Sequence, residues 1–532
     1  MFEDPNDARR GADHFQVEGF AAGKLLLQQC ANCGKVQEPP RPMCGSCHGL
    51  DFAALESTGN GFVYSWVVPR HGAPDGETHV VAVVELEESV RFVAEVIDTG
   101  IDQIANGVVV EAVFGEGEGV DRLAFRRSQP QPGPQVQTAI SPPTFSLRPR
   151  RQDNPWSTTA IVGIGQTEFS KDSGRSEMQL AAEASLAAIA DAGMDPSEID
   201  GMVTFTIDST PEPALMECLG ISDLTWVGRP PGGGNISAAV LGQAAAAVIS
   251  GAARSVLVYR AFNERSGHRF GAPTASHSRQ QAGSGQRRLN TQAARYALWY
   301  HRYMIEHRVN NEDLARYSVV ARKHASTNPN AWFYQRPISL ADHQASRWIV
   351  EPVLRLLDCC QESDGGIALV VTSRARARAC PHPPVIIEAA AQTHAAGAAA
   401  GVNFQRADLS RADEAAAVAA QLYRDAGLSP KDIDAAMLYE NFSPVVFMFL
   451  EAFQFCPEGQ AKHFIAEGNI ELGGRLPVNT HGGLLGEAYI HGMNNISEAV
   501  RQLRGTAVNQ VLAVEHVAVA AGPSGLILGR GD

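Results

Sequence analysis

"DAGMDPSEIDG" at residues 191–201 and "DAGLSPKDIDA" at 425–435 carry the same signals in the same order. Each has a Gly that stops a helix, a Pro-centred turn, a short acidic helix start and an Ile-Asp step into a strand. Four signals repeated in order rarely arise in unrelated segments. Working outward, "SEMQLAAEASLAAIADAG" and "RADEAAAVAAQLYRDAG" both have helical spacing, and "STTAIVGIGQT" parallels "PVIIEAAAQT" as a preceding buried strand. Downstream, "GGGNISAAVLGQAAAAVISGAARSVLVYRA" parallels "GGLLGEAYIHGMNNISEAVRQLRGTAVNQVLAVEHV". The pattern predicts an α/β fold of two similar, layered βαβ halves, with a long insertion from about Phe262 to Cys360.

The bulk numbers narrow the function classes. A chain of 532 residues is too long for one ordinary core, and 44% hydrophobic with 19% charged residues describes a folded protein. No apolar run approaches the roughly 20 residues of a membrane helix, and the polar start "MFEDPNDARRGADHF" lacks a signal-peptide pattern. A formal charge of -14 argues against a nucleic-acid partner. The expectation is a cytoplasmic protein with neither membrane nor nucleic-acid partner.

Four of nine cysteines fall together, as "CANC" and "CGSC" separated by ten residues. Each CxxC knuckle points two thiolates at one ion, so Cys30, Cys33, Cys44 and Cys47 predict a closed tetrahedral zinc site. Four thiolates leave no open position, so the metal is expected to stabilise the fold. Behind the cluster, "GFVYSWVVP", "HVVAVVELEE" and "RFVAEVID" read as strands of a small antiparallel barrel. A Pro- and Gln-rich stretch then reads as a linker, and its "RPRR" at 148–151 as exposed charge or a contact for phosphate groups.

These residues carry a resemblance. "CANCGKVQEPPRPMCGSC", "GNGFVYSWVV" and "VVAVVELEE" look like the small acyl-CoA-associated proteins that join a rubredoxin-like zinc ribbon to an OB-fold. "AIVGIGQTEF", "CCQESDGGIALVVTS" and "NTHGGLLGEAYIHG" resemble the sterol-carrier-protein-like branch of the thiolase superfamily. The resemblance implies one chain carrying what are usually separate subunits. It divides the chain into an extension (1–16), a zinc ribbon (17–52), an OB-fold (53–127), a linker (128–157), a first thiolase-like half (158–380, insertion 262–360) and a second half (381–532).

Departures from the thiolase pattern carry the functional reading. A thiolase places a nucleophilic Cys at the helix start where this chain has "PPGGGNISAAV", so the acyl-enzyme route is lost and space is left at Gly232, Gly233 and Gly234. The Asn-Glu-Ala-Phe element corresponds to "YENF", with Tyr439 for Asn and Glu440 kept. Counting from Gly482-Gly483 puts Tyr489 where thiolases carry His, and the final Cys is missing from "EHVAVAAGPSG". The combination resembles the steroid side-chain-cleaving aldolases. That resemblance implies retro-aldol cleavage of a bulky β-hydroxyacyl-CoA, with Tyr439 and Tyr489 as acid and base. His481, His491 and Glu440 would take up protons, and backbone N–H groups at Gly232, Gly233, Gly234 and Gly522 would hold the enolate. It further implies a homodimer through the thiolase-like domain, CoA only as part of the substrate, and no organic cofactor.

The default readings are core packing for Cys359 and Cys360 and a turn for Asp364. Two rival functions remain open from sequence: a thiolase using a displaced cysteine such as Cys456, and a non-catalytic acyl-CoA or lipid carrier.

Overall fold

The computed structural model describes residues 14–70, 79–115, 123–129, 153–272, 291–394 and 402–531, with 145, 147, 149 and 289 between them. Residues 1–13, most of the expected linker, and three of the four residues of "RPRR" lie outside this set.

Helix α1 (His14–Ala21) leads to the ribbon, in which β1 (Leu26–Cys30) pairs antiparallel with β2 (Val36–Gln37) and β3 (Phe52–Glu56). The barrel contains β4 (Asn60–Pro69), β5 (Val80–Leu86), β6 (Arg91–Ile97), β7 (Val109–Phe114) and β8 (Leu123–Arg127). Its order is β4-β5-β6-β8-β7, closed by pairing of β7 with β4. One pair, β6 with β8, is parallel, so the expected all-antiparallel barrel is corrected there.

The larger domain begins with β9 (Thr159–Gln166), α2 (Glu177–Asp191), β10 (Gly201–Val203), α3 (Glu212–Leu219), β11 (Trp226–Gly228), α4 (Ser237–Ser250) and β12 (Ser255–Asn263). The insertion contributes α5 (Gln292–Glu306), α6 (Asn311–Thr327), β13 (Trp348–Glu351) and β14 (Leu354–Arg355). There follow β15 (Asp364–Ser373), β16 (Val385–Gln392), α7 (Asp413–Ala426), β17 (Ala435–Leu438), α8 (Met493–Arg504), β18 (His516–Ala520) and β19 (Ser524–Arg530).

One nine-stranded sheet runs β11-β10-β12-β15-β9-β16-β19-β18-β17. The order outward from the β9–β16 seam is the same on both sides for four strands, with β11 added at the edge of the first half, which is the repeat seen in the sequence. Gly193 (φ 65°) and Gly427 (φ 74°) end α2 and α7 in the left-handed region, where a Cβ would be strained. Asp195 and Ser429 then start the Pro-containing 3-10 turns, and buried Ile199 and Ile433 precede β10 and β17.

The barrel is bound tightly to this domain. The insertion's β13 extends the barrel sheet by pairing antiparallel with β4, Val350 opposite Pro69. Ser65 Oγ donates to Leu298 O at 2.7 Å, and Arg91 Nη1 donates to Phe404 O at 3.1 Å. Val67, Val81, Val83 and Val93 belong to the same apolar core as the thiolase-like helices. Burying a valine fully contributes roughly 1.5–3 kcal/mol, so these four side chains help hold the barrel against the domain. No helix among the described residues is long and apolar enough to cross a membrane.

Candidate active site

Tyr439 and Tyr489 come from different loops of the second half. Tyr439 follows β17, and its N–H donates to Ala520 O at 2.8 Å. Asn479 secures the end of β17: its Oδ1 accepts from Leu438 N at 2.8 Å while its Nδ2 donates to Leu438 O at 2.9 Å. Tyr489 N donates to Ser363 Oγ at 3.2 Å, tying the "AYIHG" loop to the start of β15. These supports bring the two hydroxyls 2.8 Å apart, with both residues only 7% exposed. Burial pushes both phenols well above their ordinary value near 10, so at neutral pH they stand as a neutral, hydrogen-bonded pair.

The glycine loop lies directly against this pair. A Cβ on Gly234 would fall 2.4 Å from the Tyr439 hydroxyl oxygen. The space expected to be left by the missing thiol is therefore filled by the Tyr439 ring, not reserved for substrate. Gly232 N donates to Thr206 Oγ1 at 3.1 Å, so that N–H already has an acceptor. Neither Gly233 N nor Gly234 N has a backbone acceptor among the described residues, so these two N–H groups stand free in the loop. Gly522 sits in the β18–β19 turn, and the nearest neighbour of a Cβ there would be the Phe449 ring at 3.3 Å.

His491 stands beside Tyr489, ring centroids 5.1 Å apart, and is boxed by Phe205, Phe262 and Phe270. Its Nδ1 accepts from Arg260 Nε at 3.0 Å, and burial together with this cation holds the imidazole well below its usual value. Glu440 is fully buried behind the pair. Its Oε1 accepts from Leu484 N at 2.6 Å; Oε2 has no hydrogen-bond partner among the described residues, although Tyr317 and Asn495 lie near the carboxyl. A Cβ on Gly483 would be 1.7 Å from Glu440 Oε1 and one on Gly482 2.5 Å from Ala325 Cβ, which accounts for the Gly-Gly pair. Burial pushes Glu440 up to about 8.

His481 goes elsewhere. It lies 3.8 Å from Glu487 Oε2, in a buried polar cluster near Arg501 and His324, and burial lowers it to about 3. Cys456 is likewise apart, near Glu451 and Arg475, and burial pushes its thiol up to about 12, unsuited to a nucleophile. At the zinc-ribbon end, the sulfurs of Cys30, Cys33, Cys44 and Cys47 all lie within 4.8 Å of one another, with Cys30–Cys47 at 3.5 Å and Cys33–Cys44 at 3.6 Å. Thiolates about 2.3 Å from a tetrahedral zinc are separated by nearly this amount, so the donor set fits that ion.

Comparison with known proteins gives the family. Residues 17–53 match the ChsH2 rubredoxin-like zinc ribbon domain, 55–115 the ChsH2 C-terminal OB-fold domain and 395–530 the thiolase C-terminal domain-like family. The chain is 54% identical over 381 residues to a steroid side-chain-cleaving aldolase of Thermomonospora curvata, covering 70% of this chain and 97% of that protein. It belongs to the steroid side-chain-cleaving aldolases. A Mycobacterium tuberculosis relative, 17-hydroxy-3-oxo-4-pregnene-20-carboxyl-CoA lyase, is 51% identical over 381 residues, 70% of this chain and 98% of that one. A solved Ltp2-ChsH2(DUF35) aldolase superposes with TM-score 0.67 at 52% identity, covering 71% of this chain and 99% of that chain. The SCP2-thiolase-like protein of Mycobacterium smegmatis, at 21% identity and TM-score 0.52, shares the fold.

Within this aldolase, sequence reading passed over three polar groups near the tyrosines. Arg260 and its partner Asp208 are described below. Glu264, at the end of β12, is 2% exposed, and its Oε2 has no partner among the described residues. An Arg inside the apolar strand "RSVLVYRAF" was the available signal. Asp364, expected in a turn, instead begins β15 fully buried, accepting from Ser266 Oγ at 2.5 Å and Arg265 N at 2.8 Å. It clasps the segment carrying Glu264. Cys360 packs partly buried against the core and close to the tyrosines, with its thiol raised well above 9 by burial.

Glu264 has a pH consequence. Burial raises it from 4.5 to about 9, so the folded chain keeps it protonated where the unfolded chain ionises it. The stability this confers is complete below about 4.5 and is lost as pH rises toward 9. Glu264→Gln removes that dependence. Urea midpoints at pH 5 and pH 9 should show the variant gaining on the wild type as pH rises; a constant difference would contradict a buried, protonated Glu264.

Proposed function

We propose that the chain performs retro-aldol cleavage of a bulky β-hydroxyacyl-CoA, a steroid side-chain thioester, to a ketone or aldehyde and a shorter acyl-CoA. The single observation behind this is the 2.8 Å contact between two buried tyrosines where thiolases hold acyl-transfer groups. Because both phenols are protonated, the pair acts as a neutral shuttle. One phenol oxygen takes the β-hydroxyl proton and passes its own to the partner. As the Cα–Cβ bond breaks, its electrons form the thioester enolate, and the second tyrosine protonates Cα. The proton lost by oxygen is gained by carbon, so the step balances without a covalent acyl-enzyme. The Phe205, Phe262 and Phe270 rings supply an apolar wall for a large ring system. The substrate named for the Mycobacterium tuberculosis relative, with its hydroxyl on carbon 17 and its acyl-CoA on carbon 20, has this β-hydroxy arrangement.

The test is incubation of purified protein with β-hydroxyacyl-CoA, with and without free CoA, and identification of products by mass. CoA-independent release of a carbonyl product is expected. Strict CoA dependence would indicate thiolysis, and ligand binding without product a carrier.

We also assign zinc to the four cysteines, in a structural role, and place the active form in the cytoplasm as a homodimer through the thiolase-like domain. The edge strand β11, with Val227 half exposed, is open to such pairing. Cys30→Ser should lose the metal, measured by mass spectrometry of the native protein, and lower the melting temperature of the ribbon before it changes the tyrosine pair.

A further inference from the structure

We propose that Arg260 is a positioning residue that fixes His491 as a neutral Nε2–H donor beside Gly233, where that N–H holds the thioester oxygen as the enolate forms. This rests on the aldolase reading above and adds to it the source of the oxyanion contact.

The argument starts from donor chemistry. A guanidinium has five N–H donors and no acceptor, and Arg260 Nε lies 3.0 Å from His491 Nδ1. Nδ1 must therefore present a lone pair, and the one proton of a neutral imidazole is left on Nε2. An imidazolium would point an N–H at a cation in a buried site. Arg260 cannot turn aside, because its Nη1 donates to Asp208 Oδ2 at 2.6 Å and to Ala261 O at 3.2 Å, and the residue is 1% exposed. Asp208 is fixed in turn by Thr210 N, at 2.8 Å from Oδ1. The chain Asp208, Arg260, His491 thus sets a tautomer as well as a position.

Direction comes from the backbone. His491 has φ 48°, an uncommon conformation for a residue with a side chain, and Gly492 follows at φ 77°. Two successive left-handed residues turn the ring toward the glycine loop, and a Cβ on Gly233 would be 3.9 Å from His491 Nε2. The adjacent Gly234 faces the Tyr439 hydroxyl. Consecutive glycines thus face the tyrosine pair and the imidazole N–H, so an oxygen at Gly233 would meet a preorganised donor where negative charge develops. Phe205, Phe262 and Phe270 exclude water from the ring, and Arg260 packs 4.4 Å over Phe262. Among the described residues, Arg260 contacts His491 with Asp208 behind it, and Tyr489 is the titratable ring beside it.

The experiment joins nitrogen-15 NMR of histidine-labelled full-length protein with kinetics on a β-hydroxyacyl-CoA. In the wild type, His491, identified by loss of its signal in His491→Gln, should show an unprotonated Nδ1 and a protonated Nε2, unchanged from pH 6 to 8. In Asp208→Asn/Arg260→Met, which removes the buried cation together with its partner, both tautomers should appear. Its kcat should fall about 10- to 100-fold with KM within about threefold, the pattern of a contact made in the transition state. Arg260→Lys keeps a cation against Asp208 and should give an intermediate kcat. A wild-type His491 that is Nδ1–H or charged overturns the inference, and so does a folded double variant with unchanged tautomer or unchanged kcat. Should the double variant fail to fold, the wild-type spectrum and Arg260→Lys still decide. If the wild type releases no carbonyl product, the aldolase reading fails, and the spectrum alone judges the Arg260–His491 contact.

Discussion

Tyr489→Phe and Tyr439→Phe should each lower kcat by about 10²- to 10⁴-fold, and the double variant should cost little more than either alone. Each substitution deletes one hydroxyl and leaves a ring of the same size in the same packing, so loss of activity cannot be assigned to loss of fold. The non-additivity is the stronger part of the prediction. If the proton must pass from the β-hydroxyl through one phenol to the other and on to Cα, breaking the 2.8 Å contact at either end stops the same transfer. Independent acid and base roles would instead give costs that multiply. Rates measured for the four forms, wild type, two singles and double, separate these cases. KM should change little, because neither hydroxyl is asked to bind the ground state. Activity unchanged in Tyr489→Phe would show that the phenol pair is packing and not chemistry.

How far the sequence foretold this site follows from which interactions are local. Gly193 and Gly427 announce helix ends by their own backbone preference, and the two CxxC pairs place four sulfurs by short-range turns, so the repeat and the ribbon were readable from neighbouring residues. Tyr439 and Tyr489 are 50 positions apart, yet each could be registered separately against an adjacent element, and the structure brings their hydroxyls together. His481 shows the limit. It lies one residue from Gly482, but its ring turns into the Glu487 cluster, and that choice is made by burial and not by spacing. Arg260 and His491 are separated by 231 positions and meet only because β12 and the "YIHG" loop are adjacent in three dimensions. The pairing of β13 with β4 is also non-local, joining an insertion to a barrel that sequence treats as separate bodies. What periodicity conveys is the element. Which buried charge an element's Arg will find is set by tertiary packing.

Gly234→Ala should abolish cleavage while leaving the chain folded. The added Cβ would lie 2.3 Å from Tyr439 Cε2, 2.5 Å from Cζ and 2.4 Å from its hydroxyl oxygen, distances that no side chain tolerates. Three atoms of the phenol must clear the added carbon at once, which a small rotation of Tyr439 does not achieve. The same ring edge runs on past Gly492, where a Cβ would be 2.9 Å from Tyr439 Cδ2. The ring must therefore leave its seat, and the contact with Tyr489 goes with it. Overpacking of this kind costs about 1–3 kcal/mol of stability, which a melting curve should register without loss of cooperative unfolding. Gly233→Ala is the matched control for packing and not for activity, because its methyl enters the space before His491 Nε2. Its Cβ would make ordinary contact, 3.4 Å from Ile207 and 3.9 Å from His491, so the same loop gains one methyl without touching the tyrosines. If bulk anywhere in the glycine loop disturbed the packing, the two melting curves would shift alike. A lowered melting temperature for Gly234→Ala beside an unchanged one for Gly233→Ala would mean that the thiol-free loop is shaped to seat Tyr439. The chemistry then depends on where one phenol sits, to within about the radius of a methyl group.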